Sequence, residues 1–451
     1  MRKLFGTDGV RGIANQELTS DLAFKLGQAA AYVLAGELSH KPRILVGTDT
    51  RISCDMLECA LDAGLCSVGA DVISLGIIPT PGVAYLTALH KADAGVVISA
   101  SHNSYEFNGI KFFDSEGYKL PDELEKKIED FVFSDTTLPH KTGSRIGRIY
   151  RENGFLNDYI DYLVSNADSD VSGLRILLDL ANGAAFRVAP EVFRRLGAEV
   201  DIMNGEPDGI NINENCGSTH IEGLCTRMSE GGHDLGFAYD GDADRMIAVS
   251  EDGRVISGDK ILGALAVNLR KKRRLQKDTL VVTVMSNMGL DVFARDNGIN
   301  IIKTQVGDRY VVEEMRRNGF SLGGEQSGHV IQRDCNSTGD GILTSLRVAD
   351  ILIEEGTKAS HIHEIFKEFP QVMMNVQVPN SKKKSVLEDN DVFDKIKSVE
   401  DELKGEGRVI LRPSGTEPLV RVMMEGRDMA LIQRKTMEMA EFIALKFGKE
   451  D

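Results

Sequence analysis

Leu235-Gly236-Phe237-Ala238-Tyr239-Asp240-Gly241-Asp242-Ala243-Asp244-Arg245 joins a short apolar run to three carboxylates at alternate positions. The run reads as a buried strand and the acidic stretch as the loop at its carboxyl end. Three anions this close repel unless a cation sits among them, and hard oxygen donors so spaced suit Mg2+ or another oxygen-loving divalent ion. A plain polar turn accounts for one Asp-Gly pair, not for three. An EF-hand calcium loop is the sharper competitor, with Glu251 at its twelfth position. It fails because Arg245 fills the sixth position, where that loop needs Gly, and because residues 246–250 read as a second strand rather than a helix.

The same pattern of apolar strand, polar turn and helical stretch recurs at residues 43–47, 175–179 and 280–284. A second strand follows each time, introduced by Gly69-Ala70, Gly197-Ala198 and Gly298-Ile299. Each repeat ends in a polar loop: Ser99-Ala100-Ser101-His102-Asn103, the aspartate loop, and Gly323-Gly324-Glu325-Gln326-Ser327-Gly328-His329. Strand, helix, strand repeated this way predicts three similar α/β domains with mixed sheets, and loops at the carboxyl ends of strands can build one central cleft. Residues 370–451 break the pattern and read as a smaller C-terminal α+β domain, with an extended segment, a charged helix, a strand-turn-strand and a final amphipathic helix. The expected boundaries are 1–150, 151–252, 253–369 and 370–451.

At 451 residues the chain is long enough for several cored domains, and its net charge of −16 argues against nucleic acid as a partner. The one basic run, Arg270 to Arg274, reads as a solvated helix end, and Lys382-Lys383-Lys384 as solvated too. No apolar run is long enough for a membrane span and no signal-peptide pattern opens the chain, so the expectation is a cytoplasmic protein with no membrane partner. The six cysteines form no C-x-x-C pair and no zinc spacing, which predicts buried reduced thiols.

Ser101 stands at the polar tip of a buried strand, where a serine can act as nucleophile or carry a covalent phosphate. It lacks the G-x-S-x-G setting of serine hydrolases, and Lys111 follows between apolar residues. Arg412-Pro413-Ser414-Gly415-Thr416-Glu417-Pro418 with Arg421 reads as an anion cradle of backbone N–H groups, hydroxyls and guanidiniums. Glu325, Ser327 and His329 offer a carboxylate, a hydroxyl and an imidazole suited to sugar hydroxyls. Arg11 and Arg309 sit in Gly-flanked stretches that read, taken singly, as turns.

Together these four loops, in this order along the whole chain, resemble the α-D-phosphohexomutase family. The opening Phe5-Gly6-Thr7-Asp8-Gly9-Val10-Arg11-Gly12 and the Glu-Gln-Ser-Gly-His form of the third loop are most similar to its bacterial branch acting on glucosamine phosphate. One departure stands out: Ser104 follows Ser-His-Asn where the family usually has Pro, which frees φ there but removes no chemical group.

The resemblance implies a phosphoserine at Ser101 in the first domain and a Mg2+ site of Asp240, Asp242 and Asp244 with a phosphoserine oxygen in the second. It implies sugar contacts from Glu325 and Ser327 in the third domain. In the fourth, it implies a phosphate grip by Arg412, Ser414, Gly415, Thr416 and Arg421. Arg245 would stabilise charge, Lys111 and His329 would be acid or base, and Arg11, His102 and Asn103 would support. The implied reaction interconverts glucosamine 6-phosphate and glucosamine 1-phosphate through a 1,6-bisphosphate, feeding UDP-N-acetylglucosamine synthesis. The same bisphosphate would serve as activator, and the family suggests a homodimer. Phosphomannomutase/phosphoglucomutase activity shares the mechanism and is the nearest alternative, ahead of a non-catalytic sugar-phosphate or metal-binding protein and a metal-dependent phosphatase.

Overall fold

The computed structural model describes residues 4–6, 8–35, 40–134, 138–151, 154–403, 405–414 and 418–448. Strands and sheets below are those of the described residues. The first α/β layer contains β1 (Val10–Ile13), β2 (Arg43–Thr48), β3 (Asp71–Ile77), β4 (Ala94–Ile98), β5 (Phe107–Phe113) and β6 (Ile149–Arg151), in the spatial order β1-β5-β4-β2-β3-β6. β2 is parallel to β3 and β4, whereas β5 returns antiparallel beside β4. β4 is buried at every position, as its unbroken apolar run requires, and the polar tip emerges only where the strand ends. Leu26, Leu57, Leu61 and Leu65 of two flanking helices pack with Val46, Val96 and Ile98 into this core. Each such burial contributes roughly 1.5–3 kcal/mol.

The second sheet holds β7 (Arg175–Asp179), β8 (Glu199–Met203), β9 (Leu235–Tyr239), β10 (Met246–Ser250) and β11 (Val255–Ile256), ordered β11-β10-β9-β7-β8. β9 and β10 pair antiparallel from Tyr239–Met246 to Leu235–Ser250, so the aspartate loop is a hairpin tip flanked by strands on both sides. Glu251, the coincidental twelfth position of a calcium loop, instead accepts the backbone N–H of Ser360 at 2.9 Å and its hydroxyl at 2.5 Å.

The third sheet, β12 (Thr279–Thr283), β13 (Asn300–Thr304), β14 (Leu322–Gly324) and β15 (Val330–Gln332), runs β13-β12-β14-β15, with the loop 325–329 at the tip of the antiparallel β14–β15 pair. These three layers form one compact unit, up to Ser286 together with Ala294–Ile365.

A second unit comprises Asn287–Phe293 and Phe366–Asp451. In it, β16 (Gln371–Gln377), β17 (Gly407–Pro413) and β18 (Leu419–Gly426) form an antiparallel sheet ordered β16-β18-β17, covered by the helices Asn390–Glu402 and Met429–Phe447. The helix Lys383–Glu388 departs from the sequence expectation, and Lys383 is buried rather than solvated because its ammonium donates to the Ser414 carbonyl at 2.7 Å. All six cysteines are free, as expected, but only Cys54 and Cys216 are buried: Cys66, Cys225 and Cys335 are half-buried and Cys59 is exposed on the helix Cys54–Ser67. Among the described residues no helix is long and apolar enough to cross a membrane.

Candidate active site

Ser101 follows β4 in a left-handed conformation, φ 54°. Such backbone costs a non-glycine residue about 1–3 kcal/mol and persists only where the surroundings over-determine it. Here they do. The Ser101 N–H donates to Ser99 Oγ at 3.0 Å, and that hydroxyl donates to Asp49 Oδ2 at 2.6 Å. Arg51, wholly buried against Asp49, donates through Nη2 to the carbonyls of Ser101 and Asn103, each at 2.9 Å, and through Nη1 to the Ser104 carbonyl at 2.6 Å. Asn213 Nδ2 reaches the first two carbonyls as well, both at 2.9 Å. A Cβ on Gly241 would stand 2.5 Å from the Ser101 carbonyl oxygen, so the aspartate loop can approach this closely only through a glycine. Ser104 thus stands in a loop whose carbonyls on both sides of its own φ are held by Arg51.

The Ser101 hydroxyl donates to Asp240 Oδ2 at 2.6 Å. One oxygen from each of Asp240, Asp242 and Asp244 lies within 4.8 Å of the others, and all three side chains are buried. Burial pushes the Asp240 carboxyl well above the usual carboxylate range, and its neighbours Asp244 and Asp242 add to the push. Oδ1 of Asp242 has no hydrogen-bond partner, and Oδ1 of Asp244 has none closer than His329 Nδ1 at 3.6 Å. Buried orphan oxygens on mutually repelling carboxylates call for a divalent cation, and an all-oxygen donor set with a hydroxyl alongside fits Mg2+.

Cations ring this triad. Lys111 on β5 is 1% exposed and places Nζ 2.8 Å from Asp242, 3.0 Å from Asp8 and 3.9 Å from Asp244. Burial opposes its charge, yet Asp242, Asp8 and Asp244 outweigh burial and hold the ammonium above its ordinary range. Thr80 donates its hydroxyl to Asp242 Oδ2 at 2.7 Å.

His329 lies 3.6 Å from both Asp244 and Asp308. Its burial is again outweighed by the acidic neighbours, which push the imidazole upward. In the neutral ring, the Gly339 N–H pointing at Nε2 at 3.2 Å favours the tautomer protonated on Nδ1, facing Asp244. For Asp244 the same contacts work in reverse: burial alone would raise it, but His329, Lys111 and Arg245 hold it below the usual range. His102 differs. Burial, with Arg245 and Arg11 beside it, pushes the ring down to about 4, and Nδ1 accepts from Arg245 Nη1 at 2.7 Å.

Arg11 lies on β1 rather than in a turn, because Val10–Ile13 pairs antiparallel with β5 and carries the guanidinium to Asp8 and, at 3.4 Å, to Asn103 Oδ1. Glu325 accepts the Gly307 N–H at 3.1 Å, while Ser327 stays exposed with its hydroxyl 3.5 Å from Glu325. Thus Arg11, Ser101, His102, Asn103, Lys111, the three aspartates, Arg245 and His329 share one continuous network. Sequence reasoning missed Asp49, Arg51, Thr80, Lys119, Asn213 and Asp308. Lys119 bridges Asp8 and Asp308 at 2.6 Å each, which extends the network to the helix Asp308–Asn318 that follows β13.

In the second unit, Arg412 and Arg421 stand directly opposite each other on β17 and β18. Like charges in that position repel, which suits a site that receives an anion. Ser414 follows, buried, with its N–H donating to the Leu419 carbonyl at 2.9 Å. Gly415 and Thr416 lie outside the described residues.

Comparison with known proteins agrees with this picture. The four phosphoglucomutase/phosphomannomutase domain models match in order: alpha/beta/alpha domain I at residues 2–138, II at 157–253, III at 257–369 and the C-terminal domain at 373–442. A phosphoglucosamine mutase of Acetivibrio thermocellus is 54% identical over 449 residues, covering 99% of this chain and 100% of the relative. Among solved structures, a phosphoglucomutase/phosphomannomutase family protein of Burkholderia thailandensis superposes with TM-score 0.81 at 22% identity, over 99% of this chain and 98% of the other. An Aspergillus fumigatus N-acetylphosphoglucosamine mutase, solved with GlcNAc-6P and magnesium, gives TM-score 0.71 at 17% identity, covering 98% of this chain and 95% of that one. At those identities the structures speak for the fold, and it is the four matched domains and the full-length relative that decide membership: the chain belongs to the phosphoglucomutase/phosphomannomutase family of enzymes.

Proposed function

We propose that the protein interconverts glucosamine 6-phosphate and glucosamine 1-phosphate, with Ser101 carrying the phosphoryl group between them. The observation that carries this reading is the Ser101 hydroxyl, held 2.6 Å from Asp240 in a strained backbone among three buried aspartates and two cationic side chains. The full-length relative named phosphoglucosamine mutase supports the choice of sugar.

Asp240, Asp242 and Asp244 would hold Mg2+ together with an oxygen on Ser101. Bound there, the ion would neutralise charge on the transferring phosphoryl oxygens. In the first half-reaction the sugar's free hydroxyl attacks phosphorus, the P–O bond to Ser101 breaks, and a 1,6-bisphosphate forms. In the second, Ser101 Oγ attacks the other phosphate, whose bond to the sugar breaks. In each half the proton lost by the attacking hydroxyl is passed to the leaving oxygen, which is Ser101 Oγ in the first half and the sugar oxygen in the second. Lys111, held charged by Asp8 and Asp242, serves as a fixed cation for the equatorial oxygens rather than as the base. His329 is the group to which we assign the proton exchange. Arg245, donating to the neutral His102, stabilises charge beside Ser101. Glu325 and Ser327 contact sugar hydroxyls, and Arg412, Ser414, Gly415, Thr416 and Arg421 bind the phosphate that is not reacting.

Intact-mass measurement of the purified protein, with side-by-side turnover of glucosamine, glucose and mannose phosphates, tests the reading. The expected result is one added phosphate lost in Ser101→Ala, no turnover by that variant, and glucosamine phosphate as preferred substrate. Near-normal turnover by Ser101→Ala would overturn the phosphoserine route, and preference for glucose or mannose phosphate would overturn the choice of sugar.

A further inference from the structure

At the sheet edge opposite β1 and β5, β3 and β6 pair in parallel with Ser74 against Arg151. Beside them lies a cavity of about 560 Å³, lined by Glu58, Asp62, Ser74, Gly76, Arg151 and Arg187 among others. Glu58 and Asp62 stand one turn apart on the helix Cys54–Ser67, so both carboxylates face the same way. Glu58 accepts the Ser74 hydroxyl at 2.7 Å. Asp62 is only 4% exposed, and its Oδ1 has no hydrogen-bond partner. A carboxylate oxygen left so is unfavourable and calls for a donor. Burial, with Glu58 beside it, pushes Asp62 up to about 7, and Arg151 acts against both.

The backbone opens the space as well. The β2–β3 register shifts between Val46 and Gly47, and Gly76, at φ +67°, directs its missing Cβ towards nothing within 4 Å. On the Gly47 side a Cβ would meet Val83 at 2.5 Å, so the free space at this bulge lies on the Gly76 side alone.

The lining carries two carboxylates and two guanidiniums. A bare cation is disfavoured by the arginines and a bare anion by the acids, whereas a molecule bearing both charges satisfies all four. We propose that this cavity binds a small zwitterion, its primary ammonium against Asp62 and Glu58 and its carboxylate or phosphate between Arg151 and Arg187. The volume suits anything from an amino acid to a hexosamine phosphate. None of these lining residues belongs to the Ser101 network, so the inference stands or falls apart from the proposed reaction.

Titration calorimetry on the full chain carrying Ser101→Ala, which keeps sugar phosphates from turning over, provides the test. The probes are L-alanine and glucosamine 6-phosphate, with propionate and glucose 6-phosphate as their amine-free counterparts. One amine-bearing probe should bind at a site its counterpart does not occupy, and Asp62→Asn should weaken that binding about tenfold or more. For glucosamine 6-phosphate the signature is a second site per chain. Which arm responds identifies the anionic group as carboxylate or phosphate. Arg187→Gln, at an exposed helical position, should weaken the same binding and decides the matter if Asp62→Asn does not fold. Absence of any amine-dependent binding sensitive to either substitution overturns the proposal, as does equal binding of the amine-free counterpart.

Discussion

Lys111 and Asp242 meet at 2.8 Å with each side chain only 1% exposed, a fully buried ion pair at the centre of the site. Breaking such a pair from one side leaves an uncompensated charge, which typically costs about 3–5 kcal/mol. Lys111→Met keeps most of the volume and removes the ammonium. It should lower the unfolding free energy by about 3 kcal/mol in metal-free buffer and reduce turnover at least about a hundredfold. Denaturant melts and steady-state rates measure the two effects, and unchanged stability would mean the pair is not formed in solution.

The aspartate triad makes the opposite prediction for its own neutralisation. Asp240 is pushed upward by burial and by Asp244 and Asp242, so Asp240→Asn relieves repulsion and should raise the melting temperature in chelator-treated protein. In the parent, millimolar Mg2+ should raise the melting temperature by mass action, and the same addition should do little for the variant. A variant that is less stable without metal, yet still stabilised by Mg2+, would contradict this account of the site.

Arg51 touches no reacting atom but donates to the carbonyls of Ser101, Asn103 and Ser104. Arg51→Lys keeps the charge and loses the planar fork that serves several acceptors at once. It should lower kcat about ten- to a hundredfold with KM little changed, because misplacing a nucleophile weakens attack more than binding. A fall confined to KM would show that Arg51 acts on the sugar instead.

The repeated strands were legible because each is an unbroken apolar run ending in polar residues, and β7 falls at residues 175–179 as its pattern predicts. β12 begins one residue earlier than expected, at Thr279, whose side chain counts as polar in the sequence pattern but is buried in the strand. The three aspartates announced themselves by local repulsion. Arg51 and Asn213 did not, because their acceptors lie 50 and 112 residues away from them and no periodicity carries that information. Asp308 was visible only as part of a Gly-flanked turn, since Lys119, the cation that gives it meaning, comes from the first sheet's domain. Lys383 misled for the converse reason: a run of three lysines reads as solvated until the fold brings the Ser414 carbonyl to one of them.

Asp340 caps the helix Gly341–Glu355, accepting the Leu343 N–H at 2.9 Å, the Tyr159 hydroxyl at 2.9 Å and Asn336 Nδ2 at 3.2 Å. Burial outweighs these hydrogen bonds and pushes its carboxyl from 3.8 up to about 6. A folded-state value above the unfolded one means that the folded form binds the proton more tightly. The resulting stabilisation is fully present below about pH 4 and is lost as pH rises through about 6. Asp340→Asn retains a capping oxygen and cannot titrate. Relative to the parent it should therefore gain stability on going from about pH 4 to pH 7, by about 1.4 kcal/mol for every tenfold difference in proton affinity between the folded and unfolded forms. Denaturant midpoints of the two proteins across that range check the sign. A difference that stays flat, or that favours the parent at the higher pH, would mean that Asp340 is ionised in the folded protein throughout.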